Sequence, residues 1–165
     1  TGRGWSMSQD FAAACQVYYD RVYRFLLALS GDSNQAEDLT QEVFYRALLH
    51  IGSYREQGQM LTWLCAIGKN LWLSQCRKER RRTATLADTP QPGPEEALSA
   101  QEVQNTLRRA VAALPEDYRD VVILHIYGEI SLKEISAMKG KSESWGKVTY
   151  YRAKQMLKQK LEGLR

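Results

Sequence analysis

The sequence predicts an all-α protein in which two small helical domains are joined by a flexible linker. Apolar side chains recur at steps of three and four along most of the chain, and no long stretch alternates between apolar and polar residues. Three of the four prolines fall within residues 83–99, where the helical pattern is interrupted. The 165 residues suffice for two such domains, each with only a modest hydrophobic core.

Three amphipathic helices are predicted before the linker. The first has its apolar stripe at Phe11, Cys15, Tyr18, Val22, Phe25 and Leu29. Gly31 ends it, and Asp32 and Ser33 are residue types that cap a following helix. The second helix ends near Gly52, and its stripe is Ala36, Leu39, Val43 and Ala47. The third ends in the basic cluster Arg77–Arg82, and its stripe is Met60, Leu64, Ile67 and Leu71.

Helical periodicity resumes after the linker, whose prolines remove backbone donors and favour an exposed segment. The fourth predicted helix carries its apolar stripe at Val103, Leu107, Ala110, Val111 and Leu114. Pro115 suits the first turn of a fifth helix that runs to Gly128. The stripe of this fifth helix is Tyr118, Val121, Val122 and Ile126.

The end of the chain predicts a helix-turn-helix. Ser131 is a candidate cap for a short helix, Gly140 makes the turn, and Ser142 caps a longer helix from residue 143 to about residue 161. The apolar residues of the short helix are Leu132, Ile135 and Met138.

Basic residues are concentrated in this helix-turn-helix. Between Lys133 and Lys160, eight basic and two acidic residues give a local charge of +6, larger than the +4 of the whole chain. An ordinary solvated basic face is the alternative, but the turn ahead of the helix favours DNA binding. About six phosphate contacts would lower the affinity roughly 10³-fold between 50 and 200 mM salt. The side chains expected to face DNA are Ser144, Lys147, Val148, Tyr151 and Arg152, whereas Ala153 and Leu157 should face inward.

The third helix is a second candidate nucleic-acid surface. Its basic cluster follows Trp63 and Trp72, and basic side chains beside aromatic ones suit phosphate neutralisation and base stacking. Alternatively the arginines complement a helix C-terminus and the tryptophans belong to the core, which is the interpretation we favour for the tryptophans. The polar loop at 53–59 contains Tyr54 and Arg55 and could hold an everted base, although its spacing alone indicates only a loop.

One face of the second helix is acidic. Asp38, Gln41, Glu42 and Tyr45 are three and four residues apart, so they share a face that points away from the apolar stripe. This face is either ordinary solvated surface or a docking site for a basic partner helix.

The sequence offers no catalytic or metal centre. Cys15, Cys65 and Cys76 lack metal-ligand spacing and lie in apolar helical patterns, which predicts buried structural thiols. An odd cysteine count without a signal peptide predicts a cytoplasmic setting, and no apolar run reaches the roughly 18 residues of a membrane span. We therefore expect no cofactor, metal, small-molecule substrate or enzymatic activity. Residues 1–8 are predicted to be a tail that begins with an expression remnant.

Four motifs occur in order along the chain. They are residues 36–44 (AEDLTQEVF), residues 62–70 (TWLCAIGKN) with Arg77-Lys78, residues 114–119 (LPEDYR), and Glu134-Ile135 with Arg152-Ala153. Together they resemble the motifs of extracytoplasmic-function sigma factors of bacterial RNA polymerase. The resemblance implies sigma region 2 at 9–82, the linker at 83–99 and region 4 at 100–165. Two departures are Ser74, where the family often has Asp, and residues 145–149 (WGKVT), which are similar to a Firmicute-type subgroup.

The resemblance implies a protein that binds core RNA polymerase and directs initiation at promoters with −10 and −35 elements. The residues implied to dock on the β′ clamp coiled coil are Asp38, Gln41, Glu42 and Tyr45. Those implied to bind the −10 element are Tyr54, Arg55, Gln57, Lys69, Asn70, Arg77, Lys78, Arg80 and Arg81. Those implied to bind the −35 element, with region 4 on the β flap, are Lys141, Ser144, Lys147, Val148, Tyr151, Arg152 and Lys154. The family also implies an anti-sigma factor, often membrane-anchored, which would hold the chain at the inner face of the membrane.

A stand-alone helix-turn-helix regulator is the alternative function. It would leave the acidic face and the 53–59 loop without a role, and it usually needs a dimer to span two half-sites. An enzyme acting on nucleic acid is disfavoured because no acidic cluster, metal-ligand array or nucleophile–base pair can be assembled. The sigma-factor hypothesis instead tethers two weak DNA-binding modules whose spacing the polymerase fixes, so we expect the free chain to bind duplex promoter poorly.

Overall fold

The computed structural model describes residues 3–51, 59–85 and 99–163. Within these ranges the chain forms seven α-helices and no strand, which confirms the all-α prediction. The helices are α1 (Arg3–Ser30), α2 (Ser33–Leu49), α3 (Met60–Thr85), α4 (Ala100–Ala112), α5 (Glu116–Val122), α6 (Leu132–Met138) and α7 (Glu143–Glu162). A π-helical segment, Ile123–Tyr127, continues α5.

Helices α1, α2 and α3 pack together as a first helical unit. Their apolar stripes meet in a core where Val22, Leu29, Val43 and Leu64 are fully buried. Each of these side chains contributes roughly 1.5–3 kcal/mol by leaving water. Asp32 caps α2, as predicted, because its side chain accepts hydrogen bonds from the first turn.

Helices α4 to α7 and the π-helical segment form the second unit. Ser99 begins α4 in a capping box with Glu102, in which each side chain bonds the other residue's backbone N–H. Val121 of α5 is fully buried, and Ala153 and Leu157 of α7 face inward, as the sequence predicted. The short helix and the long basic helix therefore pack as a helix-turn-helix on a common core.

The predicted stripe of the fifth helix was wrong at Ile126, whose side chain is 47% exposed. A π-helix has more residues per turn than an α-helix, so the segment Ile123–Tyr127 breaks the three-and-four spacing on which the prediction relied. Val103 and Met138 are exposed as well, so the apolar stripes of α4 and α6 stop short of these helix ends.

Two predicted boundaries shift in the structure. Helix α3 extends to Thr85, three residues into the segment predicted as linker, and helix α1 already begins at Arg3, within the predicted tail. The rest of the predicted linker, residues 86–98, and most of the 53–59 loop lie outside the described residues.

Candidate nucleic-acid interface

The helix-turn-helix presents its basic helix to solvent. Gly140 makes the turn between α6 and α7 with a φ of +69°, a left-handed conformation that glycine adopts without a steric penalty. Ser142 caps α7 by accepting a hydrogen bond from the backbone N–H of Trp145 at 3.2 Å. All seven candidate −35 residues are exposed: Lys141, Ser144, Lys147, Val148, Tyr151, Arg152 and Lys154. The sequence-based choice of the outward face of α7 therefore matches the geometry.

Two of these lysines have partners on α7 itself. Lys147 Nζ lies 4.0 Å from the Glu143 carboxylate, and Lys154 Nζ lies 4.8 Å from the centre of the Tyr150 ring. Both lysines remain exposed, and pairs of this kind contribute little in water. Their charges are therefore available to a phosphate.

Gly146 sets how closely α6 and α7 approach each other. A Cβ atom at this position would collide with the Ser136 hydroxyl and lie 3.0 Å from the Leu132 carbonyl oxygen. Only a residue without a side chain allows this packing. The sequence analysis recorded Gly146 only as a departure from the family pattern, although a glycine inside a predicted helix is the signal that would have indicated a close contact.

The basic end of α3 is also open to solvent. The side chains of Asn70, Arg77, Lys78, Arg80 and Arg81 are exposed. Trp72 is 4% exposed and belongs to the core, as favoured from the sequence, while Trp63 is half-buried. The other three candidate −10 residues, Tyr54, Arg55 and Gln57, lie outside the described residues.

Lys69, predicted to contact DNA, is instead buried between the two helical units. Its side chain is 6% exposed, and its ammonium lies 2.9 Å from the Asp120 carboxylate of α5. Asp120 is itself 1% exposed and also binds Lys139, at 2.6 Å, and Arg119, at 3.1 Å. Three cations therefore surround one buried carboxylate, which we call the Asp120 cluster.

The Asp120 cluster shifts the pKa of two groups. Burial alone would raise the pKa of Asp120, but the hydrogen bonds and charges of Lys139 and Lys69 outweigh burial and lower it. Burial lowers the pKa of Lys69, and the nearby Asp120 charge offsets only part of that effect. The carboxylate is thus held ionised by its partners.

The acidic face of α2 is accessible. Asp38 and Gln41 are exposed, Tyr45 is 58% exposed, and Glu42 pairs with Arg46 of the same helix at 2.8 Å. The sequence analysis missed that Leu48 and Leu49, one turn beyond Tyr45, are also exposed, at 53% and 60%. Acidic and apolar groups are therefore adjacent on one open surface, which is typical of a protein-docking site.

The three thiols differ in burial. Cys65 is buried, as predicted, and burial raises its pKa to about 12 against the lowering effect of Arg21. Cys15 and Cys76 are only half-buried, and burial raises the pKa of each. Among the described residues no group of three or more His, Cys, Asp and Glu side chains could hold a metal ion. None of the described helices is both long and apolar enough to cross a membrane.

Comparison with known families matches both helical units. The family model for Sigma-70 region 2 matches residues 15–82, and the one for Sigma-70 region 4 matches residues 104–157. The ECF RNA polymerase sigma factor SigM of Bacillus subtilis is 33% identical over 147 residues, which are 87% of this chain and 90% of that protein. SigW of the same organism is 30% identical over 168 residues, 93% of this chain and 90% of that protein.

Two solved structures share the fold. RpoE from Bartonella quintana, solved with the anti-sigma factor NepR, aligns with a TM-score of 0.60 at 24% identity, covering 93% of this chain and 98% of that one. CnrH, solved with the cytosolic domain of CnrY, aligns with a TM-score of 0.58 at 18% identity, covering 94% and 90%. Both likenesses extend along nearly the whole chain.

Proposed function

The chain belongs to the extracytoplasmic-function sigma factors, and from this membership we propose how its surfaces divide the work of starting transcription. It binds core RNA polymerase and directs initiation at promoters that carry −10 and −35 elements. Region 2 corresponds to the first helical unit, and region 4 corresponds to the second. The mechanism involves positioning and binding alone, so we propose that the chain is not an enzyme.

The observation that carries this function is that both sigma regions match in order on one chain. A stand-alone helix-turn-helix regulator would account for residues 104–157 and leave the match over 15–82 without a role. That alternative is therefore not favoured.

Helix α3 binds the −10 element in this proposal. Its exposed residues are Asn70, Arg77, Lys78, Arg80 and Arg81, and their charges suit the backbone of an unpaired strand. Tyr54, Arg55 and Gln57 from the 53–59 loop, together with Lys69, complete the proposed −10 site. Opening the duplex costs a few kcal/mol per unstacked step, which capture of flipped bases offsets.

Helix α7 reads the −35 element in the major groove. A recognition helix uses its N-terminal half for base edges, which assigns Ser144, Lys147 and Val148 to base contacts. Tyr151 and Arg152 follow one turn later, and Lys141 and Lys154 flank them as phosphate contacts. The exposure of all seven side chains supports this assignment.

The acidic face of α2 docks on the clamp coiled coil of the polymerase β′ subunit, and region 4 sits on the β flap. Exposed Asp38, Gln41 and Tyr45 support the first contact, because a basic helix would find complementary charge there. The pairing of Glu42 with Arg46 is a weak exposed ion pair that a partner can replace. Leu48 and Leu49 extend the proposed surface with apolar area.

An anti-sigma factor is a further proposed partner. RpoE and CnrH were each solved in a complex with another protein, NepR and the cytosolic domain of CnrY respectively. A membrane-anchored inhibitor would place this chain in the cytoplasm at the inner face of the membrane. A pull-down from the native host that recovers polymerase subunits alone would count against this partner.

Reversing one charge on α2 tests the docking face. Asp38→Arg should abolish co-elution with purified core polymerase, because an arginine would face the basic partner helix. Glu162→Arg is the matched control, since it makes the same charge change at an exposed position outside every proposed contact. Circular dichroism should be unchanged for both variants. Normal core affinity of Asp38→Arg would refute the assigned face.

A further inference from the structure

We propose that the free chain closes on itself, with the second helical unit covering the α3 face that carries Lys69, so that core polymerase must separate the units before this face can bind −10 DNA. The proposal rests on the proposed function, because it concerns the −10 surface assigned above. It adds a regulatory step within the chain that needs no inhibitor.

The Asp120 cluster is the centre of the closed arrangement. The Lys69 ammonium is 2.9 Å from the Asp120 carboxylate, and both side chains are almost fully buried. Lys139 and Arg119 hold the same carboxylate at 2.6 Å and 3.1 Å, so Asp120 stays fixed in the second unit. A lysine enclosed in this way cannot reach a phosphate or a base.

Two more hydrogen bonds join the units on either side of this cluster. The Thr62 hydroxyl of α3 donates to the Glu134 carboxylate of α6 at 3.0 Å. Arg108 of α4 donates to the Ala28 carbonyl oxygen of α1 at 3.1 Å. Thr62 and Lys69 are seven residues apart, which places them on one face of α3. The second unit therefore covers two turns of the helix assigned to the −10 element.

The other two binding surfaces stay open in the closed arrangement. The candidate −35 residues on α7 are exposed, and so are Asp38, Gln41 and Tyr45 on α2. Among the described −10 candidates Lys69 is the buried one. The closed chain can thus meet the polymerase through α2 first, and the units then separate to release Lys69.

Burial also predicts how the closed arrangement responds to salt. Ion pairs that are shielded from water are screened much less than surface pairs. Added salt should therefore weaken DNA binding by α7 well before it opens the interface between the units.

The experiment compares charge-neutral variants of the free, full-length chain. Arg108→Ala combined with Glu134→Ala removes both flanking hydrogen bonds, and the net charge is unchanged because one charge of each sign is lost. The control combines Arg109→Ala with Glu116→Ala, which changes the same residue types at exposed positions of the second unit. The probes are a labelled single-stranded DNA of mixed sequence and its duplex, together with small-angle X-ray scattering.

We expect the double variant to have a larger radius of gyration than the wild type and a roughly tenfold higher affinity for single-stranded DNA. A tenfold change corresponds to about 1.4 kcal/mol in the balance between closed and open chains. Duplex affinity should stay unchanged, because α7 is exposed in both arrangements. The control should match the wild type in all three measurements.

Asp120→Asn serves as a second opening variant. Because it adds one positive charge, the ratio of single-strand to duplex affinity is compared, and this ratio should rise. The proposal is overturned if both opening variants keep the wild-type radius of gyration, or if they expand without a gain in single-strand binding. Wild-type chain with core polymerase is tested in parallel. Initiation alongside unchanged variants would refute the closed arrangement alone, whereas no initiation would refute the proposed function.

Discussion

Three cationic side chains converge on the Asp120 carboxylate, and this residue shows what single positions contribute. A buried ionised group is tolerated when its partners satisfy its lone pairs, and removing one member leaves the others uncompensated. Lys69, Lys139 and Arg119 all lie within 3.1 Å of Asp120. Asp120 thus stabilises the second unit and joins it to the first.

Asp120→Asn should lower the free energy of unfolding by about 3–5 kcal/mol at neutral pH, because three cations lose their counter-charge. The folded pKa of Asp120 is lowered, so its contribution is complete above the ordinary value of 3.8 and is lost as the pH falls through the lower folded value. Urea unfolding of wild type and variant at several pH values measures this difference.

Asp117→Asn is the control for this prediction. Asp117 lies on the same helix, 3.6 Å from Lys139, but its side chain is 56% exposed. It should change the stability by at most about 0.5 kcal/mol. A neutral-pH loss for Asp120→Asn as small as that of Asp117→Asn would contradict the role of the cluster.

The pairing of Lys69 with Asp120 was beyond sequence reasoning. A lysine on a basic, aromatic helix has the same residue type whether it meets a phosphate or a buried carboxylate. The sequence did contain a signal at the other end, because Asp120 directly precedes the apolar run Val121–Leu124. A charge at that position predicts a buried counter-ion, but the identity of its partner depends on how the two units pack.

At the scale of helices, local rules were sufficient for most of the fold. Asp32, Ser131 and Ser142 were predicted as caps, and each accepts a backbone hydrogen bond in the first turn of its helix. Gly140 was predicted as the turn and has the positive φ that the turn requires. Caps and turns depend on a few adjacent residues, which is why the sequence predicts them well.

The π-helical segment was not predictable in the same way. Ile123–Tyr127 contains no proline or glycine and continues the apolar pattern of α5. His125 Nδ1 lies 2.8 Å from the Ile130 carbonyl oxygen, so contacts with the following residues accompany the wider turn. Such contacts are absent from the local pattern, and Ile126 was therefore assigned to the wrong face.

Gly146→Ala tests the packing of the helix-turn-helix. The added methyl group would press on Ser136 and on the Leu132 backbone, so α6 must move away from α7. We expect a loss of about 1–3 kcal/mol in thermal or urea unfolding, together with weaker binding of −35 duplex by the holoenzyme.

The matched control is Gly163→Ala. A Cβ there would lie 3.6 Å from the nearest backbone oxygens, an ordinary contact, so stability should be nearly unchanged. Combining Gly146→Ala with Ser136→Ala should recover part of the loss, because the clashing hydroxyl is gone. Equal stability of the two single glycine variants would exclude a packing role for Gly146.

At the scale of the whole molecule, function depends on the distance between two units. Each unit is small and presents few DNA contacts, so neither is expected to select a promoter alone. Tethering turns the second binding event into an intramolecular one, and its gain depends on whether both sites can be reached together. In the closed arrangement the α3 face is covered, so the polymerase must both separate the units and fix their spacing.

The sequence predicted this organisation through two helical blocks, a proline-rich break and four ordered motifs. It did not predict that the units contact each other through Lys69, Thr62 and Arg108. Contacts between units depend on tertiary packing, and their partners are too distant in sequence for periodicity to indicate them.

Transcription from a genomic DNA library with purified core polymerase tests the central claim most directly. Core polymerase with this chain added should produce run-off RNAs from discrete start sites that share −10 and −35 sequences at constant spacing. Neither core polymerase alone nor the free chain should select those sites. If the complete mixture never initiates at a discrete site, the account of this chain as a spacing-dependent promoter reader is wrong.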